Sequence, residues 1–122
     1  MNKELEKWAL PTLRKYQKVL LLDDYLLKFQ YSKDVTEDEY MHSIVRFPYK
    51  DIIIKYGARA ITGWKEKDKQ TIKEVLIHEL AHTLTNPLYE KSRRRYVSKD
   101  EIIDANEHLV DHITNIIIKA GL

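Results

Sequence analysis

Residues 75–82 read Val-Leu-Ile-His-Glu-Leu-Ala-His, and the fold is read from them outward. Ile72, Val75, Leu76, Leu80, Ala81 and Leu84 recur at three- and four-residue spacing, which predicts a helix over 68–86 ended by Asn86-Pro87. Inside it lies His78-Glu79-x-x-His82. Side chains four apart sit one turn apart on one helix face. Both imidazoles can therefore reach a single zinc ion, with nitrogens about 2 Å from the metal. Glu79 follows His78 around the helix and suits a general base acting on a water at the metal. The alternative, a surface helix with two ordinary histidines, sits poorly with the apolar residues on either side.

A catalytic zinc site needs a third protein ligand and an open position. A last helix is expected over 99–120. It opens on Ser98 with Glu101 three residues on, a capping-box pattern, and stops at Gly121. Its segment Asp104-Ala-Asn106-Glu107-His108-Leu-Val-Asp111-His112 offers candidates. Glu107 and Asp111 share a face, with Asp104 a turn earlier. Glu107 can ligate the metal while Asp111 holds the free nitrogen of His78 or His82. His108 and His112, four apart on another face, are the competing third ligands. The apolar stripe of this helix is read as Ile103, Leu109, Val110, Ile113, Ile116 and Ile117.

Upstream, helical spacing of Leu5, Trp8, Ala9, Leu13, Tyr16 and Leu20 predicts a helix over 3–22, kinked, split or restarted at Pro11. Residues 25–31 alternate as a strand, residues 32–39 form a polar loop, and 40–47 and 51–56 read as an antiparallel pair around a turn at 48–51. Gly57 and Gly63 punctuate the approach to the metal-binding helix. The expected architecture is a single α+β domain over 1–122. It has an N-terminal helix, a mostly antiparallel sheet of about three strands, the H-E-x-x-H helix and a C-terminal glutamate helix.

Composition narrows the chemistry. The 122 residues contain no cysteine, which excludes a disulfide scaffold, a thiolate metal site and a Cys nucleophile. The net charge of +2 does not by itself announce a nucleic-acid binder. Its distribution is uneven: residues 87–99 carry five basic side chains and one acidic, residues 100–122 one basic and five acidic. Lys91, Arg93, Arg94, Arg95 and Lys99, edged by Tyr89 and Tyr96, form a basic loop. This loop is read first as a solvated connection pairing with the acidic helix, and second as a nucleic-acid contact. The charged N-terminus and short apolar runs suggest a cytoplasmic protein without signal peptide or membrane segment. Trp8, Trp64 and most tyrosines are read as core, and His42 as structural or exposed.

His78-Glu79-x-x-His82 followed by Asn106-Glu107-x-x-x-Asp111 resembles the gluzincin signature of zinc metallopeptidases. The layout is similar to single-domain minigluzincins and small phage or prophage metallopeptidases. The resemblance implies one Zn2+ per chain bound by His78, His82 and Glu107, and Glu79 activating the zinc-bound water to hydrolyse a peptide bond. It also implies Asn106 and Asp111 as supporting residues, Asp111 orienting a histidine ligand. The strand nearest the active helix, taken as 51–56, would pair with an extended peptide or protein substrate. Larger gluzincins place an oxyanion-stabilising Tyr or His beyond the glutamate helix. Here only Tyr89, Tyr96 and His112 can substitute. The rival readings are a SprT-like DNA-associated protease with a histidine third ligand, a non-catalytic zinc-binding module, and a metal-free nucleic-acid binder.

Overall fold

The chain forms α1 (Lys3–Val19), β1 (Leu26–Tyr31), β2 (Met41–Arg46), β3 (Asp51–Tyr56), α2 (Ala58–Lys65), α3 (Lys69–Ser92) and α4 (Lys99–Lys119) in a computed structural model. The structure describes residues 1–46, 49–92 and 98–122, with the backbone alone at Pro87 and 90–92. The α+β class is as the sequence predicts. One core draws on all seven elements, from Leu13 and Tyr16 of α1 through Ile52 and Ile54 of β3 to Leu76 and Leu80 of α3 and Ile117 of α4.

The sheet is mixed, not mostly antiparallel. Its order is β1-β3-β2, with β3 parallel to β1 and antiparallel to β2. The segment 32–40 is long enough to carry the chain across one strand position, so β1 and β2 end on opposite edges. β3 takes the centre because it is the most apolar strand. Ile52, Ile54 and Tyr56 are fully buried against the helices, while Asp51, Ile53 and Lys55 on the other face are only half-covered. Strand 51–56 therefore has both edges occupied and cannot pair with a substrate. The strand that packs on α3 with a free edge is β2.

Helix limits also differ from expectation. α1 runs through Pro11 as one helix. A proline inside a helix leaves the carbonyl four residues earlier without its partner. Here both Pro11 and Lys7 are exposed, so the missing bond falls on the solvent side of the helix, where it costs least. The helix ends at Val19, with Leu21 in a left-handed conformation (φ 58°). α2 lies where the sequence shows only two glycines. Gly57 caps it, and Gly63 sits inside it because a Cβ there would meet the Tyr40 ring at 3.2 Å. α3 passes Asn86-Pro87 and continues to Ser92, packed along α4. α4 starts at its predicted cap: Ser98 Oγ accepts the backbone N–H of Glu101 at 3.2 Å, the N-cap bond of the capping-box pattern. Its buried face is Ile102, Val110, Thr114 and Ile117. Ile103, Leu109 and Ile116, predicted as core, are exposed.

The start of α1 is tied to the end of β3. Asn2 caps the helix by accepting the Leu5 N–H at 3.0 Å, and its own N–H donates to the Tyr56 hydroxyl at 2.9 Å. That hydroxyl donates to the Glu6 carboxylate. Burial, with the Glu6 carboxylate adding to it, pushes the Tyr56 phenol up to about 12. A raised folded-state value means the neutral phenol is favoured in the fold. The contribution is therefore complete below pH 10 and lost as pH climbs toward 12, at most about 2–3 kcal/mol. Urea titrations across pH 9–12 are expected to show that decline, and Tyr56→Phe to flatten it. The same variant should cost about 1–3 kcal/mol at neutral pH, because two part-buried polar groups lose their partner.

Candidate metal centre

α3 and α4 run antiparallel and present their polar residues to each other. On α3, Leu76, Ile77, Leu80 and Ala81 are fully buried, which fixes the rotation of the helix and turns His78 and His82 toward α4. The two rings lie 4.9 Å apart at 79°. On α4, burial of Val110, Thr114 and Ile117 turns Glu107 and Asp111 toward α3.

The four side chains converge. His78 Nε2 lies 3.2 Å from Glu107 Oε2, and His82 Nε2 lies 3.2 Å from Glu107 Oε1. His78 Nδ1 lies 2.9 Å from Asp111 Oδ1. A neutral imidazole carries only one N–H. With Nδ1–H donated to Asp111, the Nε2 of His78 faces a carboxylate with a lone pair, which calls for a proton or a metal ion between them. Burial lowers the His82 pKa, although the Glu107 carboxylate works against that shift.

Donors on a tetrahedron with bonds of about 2 Å stand about 3.3 Å apart. Each histidine nitrogen stands at about that separation from one Glu107 oxygen, and a set of two imidazoles and one carboxylate suits a divalent ion. His78, Glu79 and His82 also form a group whose ligand atoms all lie within 4.8 Å of one another, able to hold a metal ion.

Glu79 is only 6% exposed, and its Oε2 has no hydrogen-bond partner. Burial, reinforced by the Glu107 and Glu39 carboxylates, pushes its pKa up to about 8. A buried carboxyl with an unpartnered oxygen is uncommon in a fold, and here it lies beside two histidines.

Two hollows share Glu39, Glu79, His82 and Glu107. The larger, about 640 Å³, also takes in Tyr40, Met41, Glu74, His78 and Asp111. The smaller, about 300 Å³, takes in His42, Ser43, Val45, Asn86, Tyr89 and Asn106. The β2 residues thus form one wall of a cleft that passes over the histidines.

Of the residues singled out in the sequence, His78, Glu79, His82, Glu107 and Asp111 come together, and Asn106 and Tyr89 border the smaller hollow. His108 and His112 do not join them. Both are exposed on α4 and line neither hollow. Asp104 is likewise exposed and apart. Tyr96, Arg93, Arg94 and Arg95, and the side chain of Lys91, lie outside the described residues. Sequence reasoning missed Glu39 and read His42 as structural or exposed rather than as part of a site, and both line the cleft. The only signal was their position at the start of the strand that proves to be the edge. No helix among the described residues is long and apolar enough to cross a membrane.

Asp111→Asn is expected to weaken metal binding about 10- to 100-fold, since an oriented histidine ligand depends on the group holding its other nitrogen. Competition with a zinc-chelating dye measures it, and unchanged affinity would rule out that role. No protein-family model, curated protein or solved structure matches this chain.

Proposed function

We propose that this chain is a zinc-dependent peptidase of the gluzincin kind, with His78, His82 and Glu107 holding the metal and Glu79 as general base. The observation that carries the reading is the meeting of both Nε2 atoms on one carboxylate, 3.2 Å each, beside a buried Glu79 with an unpartnered oxygen. Zinc supplies a Lewis acid that polarises a carbonyl and makes water more acidic. The remaining roles belong to the chain. Asp111 holds the His78 tautomer. Glu79 takes the proton of the attacking water and passes it to the leaving amine. Its raised affinity for protons favours that transfer, and a cation between the histidines would draw the value back toward ionisation at neutral pH.

The free edge of β2 can take an extended substrate as an added strand, laying its backbone along the cleft. Tyr89 and His42 border the smaller hollow and carry donors of a kind suited to a developing oxyanion. The histidine-ligand rival and its DNA-bound substrate gain no support from the exposed positions of His108 and His112. Incubating the zinc-loaded protein with a mixture of quenched fluorogenic peptides tests the proposal. Cleavage that chelation abolishes and added zinc restores is the expected result. Zinc binding without cleavage of any peptide would favour the non-catalytic zinc module.

A further inference from the structure

We propose that the cleft selects substrates bearing a cationic group, received by the carboxylates of Glu39 and Glu74; this rests on the peptidase reading above. Four carboxylates besides Glu79 line the larger hollow, and two of them are already engaged. Glu107 faces both histidines and Asp111 faces His78. Glu39 and Glu74 are left over.

Their partners are neutral. Glu39 Oε1 accepts from the Thr36 hydroxyl at 3.0 Å, and Glu74 Oε1 accepts from the Gln70 amide at 3.1 Å. Among the described residues neither enters an ion pair. Lys119 lines the same hollow but pairs with neither. Arg59, which reaches residues 38 and 40, is taken by the Asp38 carbonyl and the Tyr40 ring.

Position adds to charge. Glu39 stands two residues before β2 and borders both hollows, so a chain laid along that strand passes it. Glu74 lies one turn before His78 on α3. Glu79, buried and with one oxygen lacking a hydrogen-bond partner, lines the same hollow as both, so this space holds an unmet polar group as well as unmet charge. A substrate cation entering here meets two carboxylates that lack a counter-charge. Because Glu39 is exposed, the gain is modest and screened by salt, about tenfold in affinity for the pair. Either a Lys or Arg side chain or a free α-amino group carries the required charge.

The test is calorimetric titration of the zinc-loaded Glu79→Gln protein with peptides of equal length. Three are acetylated and amidated, with Lys, norleucine or Glu at the central position; a fourth is the norleucine peptide with a free amino terminus. The Lys peptide is expected to bind about tenfold tighter than norleucine, with Glu weakest. The three should converge when Glu39→Gln and Glu74→Gln are added. Glu39→Lys should invert the order. If only the free-amine peptide gains, and loses that gain in the same variants, the cation is the α-ammonium and the inference holds. Equal affinities, no binding, or a Lys preference that survives both substitutions overturns it. Melting temperature and zinc content verify each variant. Cleavage by the unsubstituted protein is scored separately. Lys preference without cleavage would sink the peptidase reading alone, and cleavage without preference would sink only this inference.

Discussion

Glu79→Gln is expected to slow peptide cleavage by about 10²–10⁴-fold while leaving zinc content unchanged. The substitution keeps volume and shape but removes the group that takes a proton. Stability gives a second readout of the same change. In the metal-free protein, Glu79 is a buried carboxyl with an oxygen lacking any partner, and burial pushes its pKa up to about 8. Gln carries no charge to desolvate, so the metal-free variant should melt at the same temperature as the parent or higher. Progress curves at matched zinc loading, with melting curves alongside, test both expectations. Full activity in a zinc-loaded variant would remove Glu79 from the reaction.

The second large effect is thermal. A ligand that binds only the folded state stabilises it by about 4 kcal/mol when present at a thousand times its dissociation constant. For a domain of this size each kcal/mol shifts the melting temperature by roughly 3–6 °C. Zinc should therefore raise it by about 12–24 °C. His78→Ala and His82→Ala should abolish the shift, because each removes one of two nitrogens that point at the same carboxylate. Glu107→Ala should reduce it strongly. His108→Ala and His112→Ala should leave it intact, since both residues are exposed and away from the cleft. Scanning fluorimetry with and without zinc reads all five. A shift lost in His112→Ala and kept in Glu107→Ala would move the third ligand and revive the histidine-ligand reading.

Local patterns made much of this legible. The spacing of His78 and His82 is a property of any helix, so the paired imidazoles follow once 68–86 is helical. The Ser98 cap of α4 is likewise a contact between residues three apart. Glu107 and Asp111 needed more. Their i,i+4 spacing shows that they share a face, but not that the face meets α3, and the apolar stripe read beside them was half wrong. Burial of Ile102 and Thr114, with exposure of Ile103, Leu109 and Ile116, sets the true rotation of α4.

By itself, the sequence determined the α+β class, the helical register of His78 and His82, the capping and glutamate motifs of α4, and the absence of thiolate chemistry. These depend on contacts within a few residues, where spacing and side-chain type suffice. Only the tertiary structure decided which strand is central, which edge is free, and which acids face the histidine pair. It placed β3 between β1 and β2, continued α3 past Pro87, formed α2 where two glycines were read as breaks, and brought Glu39 and His42 to the cleft. Each of these depends on burial shared between segments far apart in the chain. Ile52, Ile54 and Tyr56 need cover from helices before and after them, and no local periodicity records which neighbour supplies it.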